Sequence, residues 1–382
     1  MASGLDLARR FSGFDSFKTP KVVVDEPTLL RNIAAMAELV GGKATLHPHI
    51  KTHKSLEIAH LQRAHGAKGF TVARPYEAKM LIENGLTPVT LAYPIICPAT
   101  IAAMLRIVER PEDIRFVADS EQTVEAVAKA ALECGRVAHV FLKVNVGLHR
   151  CGFDPRGVLG LALARKIDAD PLLHFVGLLS HAGHAYGAGN VDGVRRIAQT
   201  ELEIMTDLRA SFERNGIPVP CVSIGSTPSI LANAGFEGID EVRPGNYVFY
   251  DLTAVRLGLV SRADIGLAVS ARIIAVNDHF AIADVGSKTL SSDLGAHGTS
   301  ATTSFGEAWA QGRDTPFSVA KLSEEHAFLT FEHEAPKLGI PVLILPNHSC
   351  PVANLSGGLS FTGKRARLVP TEGFIRHDMP SP

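Results

Sequence analysis

Residues 46–59 read LHPHIKTHKSLEIA, and within them a predicted strand is followed by a predicted helix. This change from strand to helix is the basis of the fold prediction. Two histidines flank a proline, Lys51 and Lys54 follow, and a helical pattern begins directly after them. A lysine that is partly desolvated beside other cations loses its proton more easily and can then form a Schiff base. A solvated, charged turn is the commoner role for such residues. The stretch alone leaves both interpretations open.

The same change from strand to helix recurs along residues 28–255. Short β-rich runs alternate there with amphipathic stretches, several of which end in glycine, as helices commonly do. The predicted strands are ATLHPH, GFTVA, PVTLAY, IRFVAD, AHVFLKVNV, FVGLLSH, CVSIGS and DEVRPG. Eight β-then-α units in order favour an α/β fold, a (β/α)8 TIM barrel. A doubly wound open sheet gives the same alternation, but no GxGxxG motif follows the first strand, which weakens a dinucleotide-binding fold.

The pattern changes after residue 256. LAVSARIIAV, HFAIADVG, PVLILP and RARLVP are strand-like, and Gly- and Ser-rich connections take the place of helices between them. We therefore predict a mainly β domain over residues 256–382, which is a normal domain size. The early segment TPKVVVD is also strand-like, and we expect the N-terminal strand at 18–27 to join this second domain.

The composition argues against several classes of protein. Of the 382 residues, 46% are apolar and 20% are charged, which suits a globular protein with a large core. A net charge of −1 without a long basic block argues against nucleic acid and against a membrane surface as partners. The five cysteines form no CxxC pair, so we expect reduced thiols and a soluble, cytoplasmic protein.

The segment SIGSTPS, residues 223–229, places two hydroxyls where a strand ends and a helix begins. Exposed backbone N–H groups and hydroxyls at a helix start form a cradle for an anion, so Gly225, Ser226 and Thr227 are candidates for binding a phosphate. An ordinary Ser/Thr N-cap explains the same residues equally well.

The segment PNHSCP, residues 346–351, ends an apolar strand with His348 and Cys350 two positions apart. Imidazole and thiolate suit zinc, and two protein ligands would leave coordination positions for water and substrate. A buried cysteine beside a capping histidine is the simpler alternative, and on two ligands alone it is the favoured one.

Together these motifs resemble the D-serine dehydratase and D-threonine aldolase family of fold-type III pyridoxal phosphate (PLP) enzymes, with alanine racemase as a more distant relative. The resemblance covers nearly the whole chain. It rests on TPKVVVD, HPHIKTHKS, GLHRCG, GLLSHAG, VSIGSTPS, RPGNYVFYD, ADVGSKTLSSD, SEEHAFL and PNHSCP.

The resemblance implies a set of site residues. Cofactor binding would fall to Lys51, Arg150, His181, Tyr186, Gly225, Ser226, Thr227 and Tyr247. Lys51 would carry PLP as a Schiff base and act in catalysis with His181 and Arg150, which lie near the cofactor ring. His348 and Cys350 would bind a divalent metal, zinc by preference, with manganese or cobalt as alternatives. The family also implies a homodimer that acts on a small D-amino acid.

The resemblance leaves the reaction open between elimination and aldol cleavage. The His-x-Cys form of the metal pair, and Ala182 where aldolases carry a candidate catalytic histidine, favour loss of water to give a 2-oxo acid and ammonia. The segment DVGSKTLSSD is closer to the aldolases, which form glycine and an aldehyde. A racemase or a non-catalytic PLP-binding protein remains as a further alternative. If the substrate carries a β-carboxylate, Arg74 and Lys288 are the candidate cations.

Overall fold

The structure, a computed structural model, describes residues 18–232, 235–296, 302–332, 334–362 and 367–371, together with residues 7, 10 and 11. The main hydrophobic core includes residues of both the barrel and the second sheet. Within the described part of the chain, none of the helices has the length and apolar character needed to cross a bilayer.

The predicted barrel is confirmed. Eight parallel strands form one sheet in the order β2-β9-β8-β7-β6-β5-β4-β3, and a parallel bridge from His49 to Thr71 joins its two outer strands. The strands are β2 Thr45–Leu46, β3 Phe70–Val72, β4 Val89–Pro94, β5 Ile114–Ala118, β6 Ala138–Lys143, β7 Leu173–Leu179, β8 Cys221–Ile224 and β9 Glu241–Val242. All eight predicted strands are present in chain order.

Helices cover the outer face of this sheet, as parallel strands require. The helices of this part of the chain are α1 Glu26–Val40, α2 Leu56–Ala64, α3 Pro75–Glu83, α4 Pro98–Ile107, α5 Glu121–Cys134, α6 Leu159–Asp168, α7 Val191–Arg214, α8 Thr227–Leu231 and α9 Leu252–Arg256, of which α9 packs against the second sheet. Short 3₁₀ turns occupy Ile50–Thr52, Pro111–Asp113, Gly183–Gly187, Asn246–Val248 and Arg262–Asp264. Local sequence explains the helix ends: Ser120 and Thr123 form a capping box at the start of α5, and left-handed Gly135 ends it.

The second sheet has nine strands in the order β11-β14-β13-β12-β15-β10-β1-β16-β17. Its strands are β1 Lys21–Asp25, β10 Leu267–Val276, β11 Ala281–Ala283, β12 Gly306–Ala310, β13 Phe317–Leu322, β14 Ala327–Thr330, β15 Pro341–Pro346, β16 Gly358–Thr362 and β17 Arg367–Pro370. The N-terminal β1 lies inside it, antiparallel to β10 and parallel to β16. The predicted division of the chain near residue 255 stays a prediction.

Two short helices of the second part complete the fold, α10 Ser287–Leu290 and α11 Ser349–Leu355. Helix α11 packs against the turn that carries Lys51. The Asn354 side-chain amide donates to the Lys51 carbonyl at 2.8 Å, and Cys350 Sγ lies 3.3 Å from Thr52 Oγ1. One chain therefore brings its own candidate metal pair to its own candidate lysine.

Candidate active site

A cavity of about 390 Å³ lies where the carboxyl ends of the barrel strands meet α11. Of the predicted site residues, it is lined by Lys51, His181, Tyr186, Ser226, Thr227, His348 and Cys350. A smaller cavity of about 30 Å³ shares Lys51 and His181 with it and adds Arg150 and Gly225. Residues predicted from distant parts of the sequence are thus brought together at the end of the barrel where such enzymes carry their active sites.

The two lysines of the opening stretch have different surroundings. Lys54 donates to the Tyr76 hydroxyl at 2.7 Å and pairs with Glu77 at 3.4 Å, so its charge is compensated. Lys51 lies on the 3₁₀ turn after β2 and lines both cavities. Burial lowers the pKa of Lys51, against the opposing effect of Cys350, and the nearby Arg150 lowers it further. Of the two, Lys51 is therefore the one suited to covalent chemistry.

The SIGSTPS segment forms the N-cap that was one of its two predicted roles, and it also lines the main cavity, while phosphate binding stays a prediction. Ser226 is an N-cap: its hydroxyl donates to the Ala182 carbonyl at 3.1 Å and accepts from the Ser229 N–H at 3.4 Å. The Ser226 hydroxyl therefore already has hydrogen-bond partners within the protein. Thr227 also lines the cavity, and its Oγ1 accepts a hydrogen bond from the Gly245 N–H at 3.1 Å.

His181 and Tyr186 approach the cavity from the loop after β7. His181 Nδ1 donates to the Gly225 carbonyl at 3.0 Å, which fixes the imidazole against the SIGST segment. Burial raises the pKa of Tyr186 well above its usual range, so its hydroxyl stays protonated beside Thr227. Arg150 is exposed and lines only the smaller cavity.

Tyr247 is not brought to either cavity. It is fully buried, and its hydroxyl accepts a hydrogen bond from Gln62 Nε2 at 3.0 Å. Its neighbours Gly245 and Asn246 line the main cavity instead. The GNY motif therefore lies at the main cavity, but it presents the Asn246 amide there and not the Tyr247 phenol.

Arg243 is the most important residue that the sequence reasoning missed. It lies one residue beyond β9, is only 5% exposed, and lines both cavities. Its guanidinium donates to Ser223 Oγ and to the Ser180 carbonyl. The sequence does carry a signal, because the predicted strand DEVRPG contains this arginine near its carboxyl end, where barrel active sites lie.

Lys143 was missed as well, at the end of β6. It is 3% exposed and lines the smaller cavity. Burial lowers its pKa to about 8, and Arg243 and Arg150 act in the same direction. Lys51, Lys143, Arg150 and Arg243 thus surround a very small space with cationic groups, which predicts an anionic occupant.

PLP fits this arrangement. Its phosphate and phenolic oxygen supply negative charge to a cation-rich cavity, and Lys51 supplies the amine. The chain also passes unusually close to the lysine turn at Gly245. A Cβ there would lie 3.0 Å from the His49 carbonyl oxygen and 3.1 Å from Thr52 Oγ1, so glycine permits this close approach.

His348 and Cys350 fit a divalent metal by their donor chemistry. His348 Nδ1 lies 3.0 Å from Asp293 Oδ2, which orients the ring as carboxylates do beside metal-bound histidines. Burial lowers the pKa of His348, but Cys350, Asp251 and Asp293 outweigh it and raise the pKa to about 9. A metal would displace that proton. Among the residues described, no group of three or more His, Cys, Asp and Glu side chains is arranged to hold a metal ion.

The fold and the cavity define a fold-type III PLP protein, and comparison with known families agrees. The family model of the alanine racemase N-terminal domain matches residues 24–253, and that of the serine dehydratase domain matches residues 266–360. The chain belongs to the alanine racemase N-terminal domain family, in combination with a serine dehydratase domain. The predicted resemblance is confirmed.

The chain is also similar to individual proteins whose activities are named. The chain is 32% identical over 346 residues to D-threo-3-hydroxyaspartate dehydratase of Delftia sp. (strain HT23), covering 87% of this chain and 90% of the relative. The solved structure of that enzyme has a TM-score of 0.87 at 29% identity, covering 94% of this chain and 98% of that one. A variant of the same enzyme has been solved in a metal-free form.

Two further relatives have different activities. D-serine dehydratase of Dictyostelium discoideum is 27% identical over 370 residues, covering 89% of this chain and 92% of the relative. D-threonine aldolase of Arthrobacter sp. is 26% identical over 353 residues, covering 89% of this chain and 88% of the relative. The comparisons therefore include both reactions that the sequence left open.

Proposed function

We propose that the chain is a PLP- and divalent-metal-dependent lyase that removes water from a D-3-hydroxy amino acid, giving a 2-oxo acid and ammonia. One observation carries the proposal: Lys51, with its lowered pKa, and the His348–Cys350 pair line the same cavity. The dehydratases among the relatives support the same reaction.

Each group has a distinct task. Bound PLP supplies an electron sink for charge that develops at the substrate Cα, and a bound metal supplies a Lewis acid for the departing β-hydroxyl. Lys51 would form the covalent link to the cofactor and, as a free amine, would take the proton from Cα. His348 and Cys350 would hold the metal, with zinc preferred for a thiolate and an imidazole.

The rest of the cavity binds and orients. We assign the phosphate to Thr227 and the backbone of the SIGST segment, since the Ser226 side chain is occupied by capping. His181, Arg150 and Arg243 approach the smaller cavity and supply donors to the anionic cofactor. Helix α11 holds the lysine turn through the hydrogen bond from Asn354 to the Lys51 carbonyl.

Aldol cleavage is the second candidate, and one contact favours it. Asp293, at the end of the aldolase-like segment DVGSKTLSSD, contacts the metal-pair residue His348 at 3.0 Å. Against it, the residue after His181 is the buried Ala182, which offers no acid or base to take a proton from the β-hydroxyl. We therefore place elimination first.

Arg74 is the proposed determinant for a substrate with a β-carboxylate. It lines the main cavity, is exposed, and its guanidinium lies 5.9 Å from the centre of the Tyr93 ring. Lys288, the other predicted cation, is exposed and pairs with Glu324 at 2.8 Å and Glu325 at 3.1 Å. It is not among the residues that line the cavity, so Arg74 is the better candidate.

The proposal extends to a homodimer in the cytoplasm. The family resemblance supports the dimer. The cytoplasm is supported by five cysteines that are all free thiols in the structure.

Product analysis tests the proposed reaction. Protein loaded with PLP and zinc is given D-serine, D-threonine or D-threo-3-hydroxyaspartate, with and without chelator. Ammonia and a 2-oxo acid, lost on chelation, are the expected products. Glycine and an aldehyde would assign the chain to the aldolases, and racemised substrate without either product would exclude both lyase reactions.

A further inference from the structure

The residues beside the two candidate metal ligands are themselves firmly held. Asn347 and Ser349 alternate with His348 and Cys350, and they are 1% and 0% exposed. The Asn347 carbonyl accepts a hydrogen bond from the Thr253 hydroxyl at 2.6 Å. The ligands therefore sit on a segment whose intervening residues are anchored to the region around α9.

The centre of this anchor is Asp251, a fully buried residue at the N-terminus of α9. Its Oδ1 caps the helix by accepting from the N–H groups of Thr253 at 3.1 Å and Ala254 at 3.3 Å. Its Oδ2 accepts from Asn246 Nδ2 at 2.7 Å and from the Ser349 N–H at 3.0 Å. One oxygen thus serves the helix and the other joins two separate parts of the chain.

The same contacts reach the cofactor side of the cavity. The Ser349 hydroxyl donates to Asn246 Oδ1 at 2.9 Å, so Asn246 and Ser349 are joined both directly and through Asp251. Asn246 lines the main cavity, and the preceding residue, Gly245, donates its N–H to Thr227 Oγ1 at 3.1 Å. These hydrogen bonds, together with the peptide bond between Gly245 and Asn246, therefore link the metal-binding segment to Thr227.

We propose that Asp251 is a positioning residue for the metal site. Its Oδ2 fixes the His348–Cys350 segment relative to the loop after β9 that carries Gly245 and Asn246. The inference rests on the proposed function, since it takes His348 and Cys350 as metal ligands. Outer contacts of this kind hold ligands in a geometry that a metal can use at once, and their loss commonly weakens metal affinity roughly tenfold to hundredfold.

The test is Asp251→Asn. Asparagine keeps one oxygen to cap α9. Its amide NH₂ then faces two donors, Asn246 Nδ2 and the Ser349 N–H, so the link is broken while the cap is kept. We expect zinc affinity of the PLP-loaded protein, measured by equilibrium dialysis, to fall about tenfold or more. The visible cofactor band should stay, and lost turnover should return when zinc is raised.

Asp25→Asn is the matched control. Asp25 is a 4% exposed carboxyl that caps α1 by accepting from the Thr28 N–H at 3.3 Å, and it does not line the cavity. The Asp25→Asn variant has the same kind of substitution at a buried helix cap, so a general loss of stability would appear in both variants. Its zinc affinity should equal that of the unchanged protein.

An Asp251→Asn protein that binds zinc as tightly as the unchanged protein would overturn the inference. If that variant does not fold, Ser349→Ala decides, since it removes only the two hydroxyl hydrogen bonds of Ser349, to Asn246 Oδ1 at 2.9 Å and to Asp251 Oδ2 at 3.5 Å. A severalfold weaker zinc affinity supports the positioning role, and an unchanged one overturns it. If the unchanged protein itself binds no zinc, the metal assignment under the proposed function fails, and the inference fails with it.

Discussion

Glu241 lies at the centre of a buried charge network, and its replacement by glutamine should destabilise the barrel strongly. The residue is 2% exposed on β9. Arg115 donates to its Oε2 at 2.9 Å, Ser223 donates to its Oε1 at 2.8 Å, and His47 Nδ1 lies 3.2 Å from Oε2. Arg243, which lines both cavities, donates to the same Ser223. Glu241 therefore supports an arginine of the candidate site from inside the barrel.

The expected loss of stability in Glu241→Gln follows from the pKa shift of Glu241 and from its charged partners. Burial alone would raise the pKa of Glu241, but Arg115, His47 and Arg243 outweigh it and lower the pKa from 4.5 to about 2. At roughly 1.4 kcal/mol for each tenfold change in ionisation, this corresponds to about 3 kcal/mol of stability. Glu241→Gln also leaves Arg115 without its counter-charge, and losing one partner of a buried pair typically costs about 3–5 kcal/mol.

The pH dependence has a defined sign. Because the pKa of Glu241 is lower in the folded state, its contribution is fully present above about pH 4.5 and is lost as pH falls toward about 2. Urea unfolding followed by circular dichroism measures the difference between the two proteins. It should be about 3–5 kcal/mol at pH 7 and should shrink below pH 4.5.

Glu83→Gln is the control for this experiment, because Glu83 is exposed and its ion pair with Lys79 is long, at 3.7 Å. It should change the unfolding free energy by less than about 0.5 kcal/mol. The reasoning would be refuted if Glu241→Gln were as mild as this control, or if its effect were the same at pH 7 and pH 3.

The remaining predictions concern the cavity. Lys51→Ala should abolish the visible cofactor band and turnover together, whereas Lys54→Ala should keep the band; a band retained by Lys51→Ala contradicts the assignment. Cys350→Ala should keep the band but lose bound zinc and metal-dependent turnover, while Cys97→Ala, at an exposed thiol, should keep both; unchanged zinc content in the first variant would argue against the metal pair. Arg74→Gln should lower kcat/KM about tenfold for D-threo-3-hydroxyaspartate, by loss of a charged hydrogen bond of about 1.5 kcal/mol, and leave D-serine unaffected; equal effects on both substrates would remove its proposed role.

Local patterns were enough to predict the barrel. The strand runs and the glycine-terminated helices are properties of neighbouring residues, and every predicted barrel strand appears in the structure. The metal pair and the lysine needed the resemblance, because they lie about 300 positions apart in sequence and meet only through the packing of α11.

Side-chain direction is the detail that the sequence does not give. Ser226 lines the main cavity and also caps α8, whereas the Tyr247 side chain contacts Gln62 and lies away from both cavities. Arg243 lies in the predicted strand DEVRPG, but its burial against Ser180 and Ser223 depends on tertiary packing and cannot be read from spacing.

Lys51 is expected to carry the cofactor, and the position of bound PLP on the chain decides whether it does. The PLP-loaded protein is reduced with borohydride, digested, and analysed by mass spectrometry for the peptide that carries the phosphopyridoxyl group. We expect the modification on Lys51. The same mass on Lys54 or Lys143, the other lysines that line the two cavities, would contradict it.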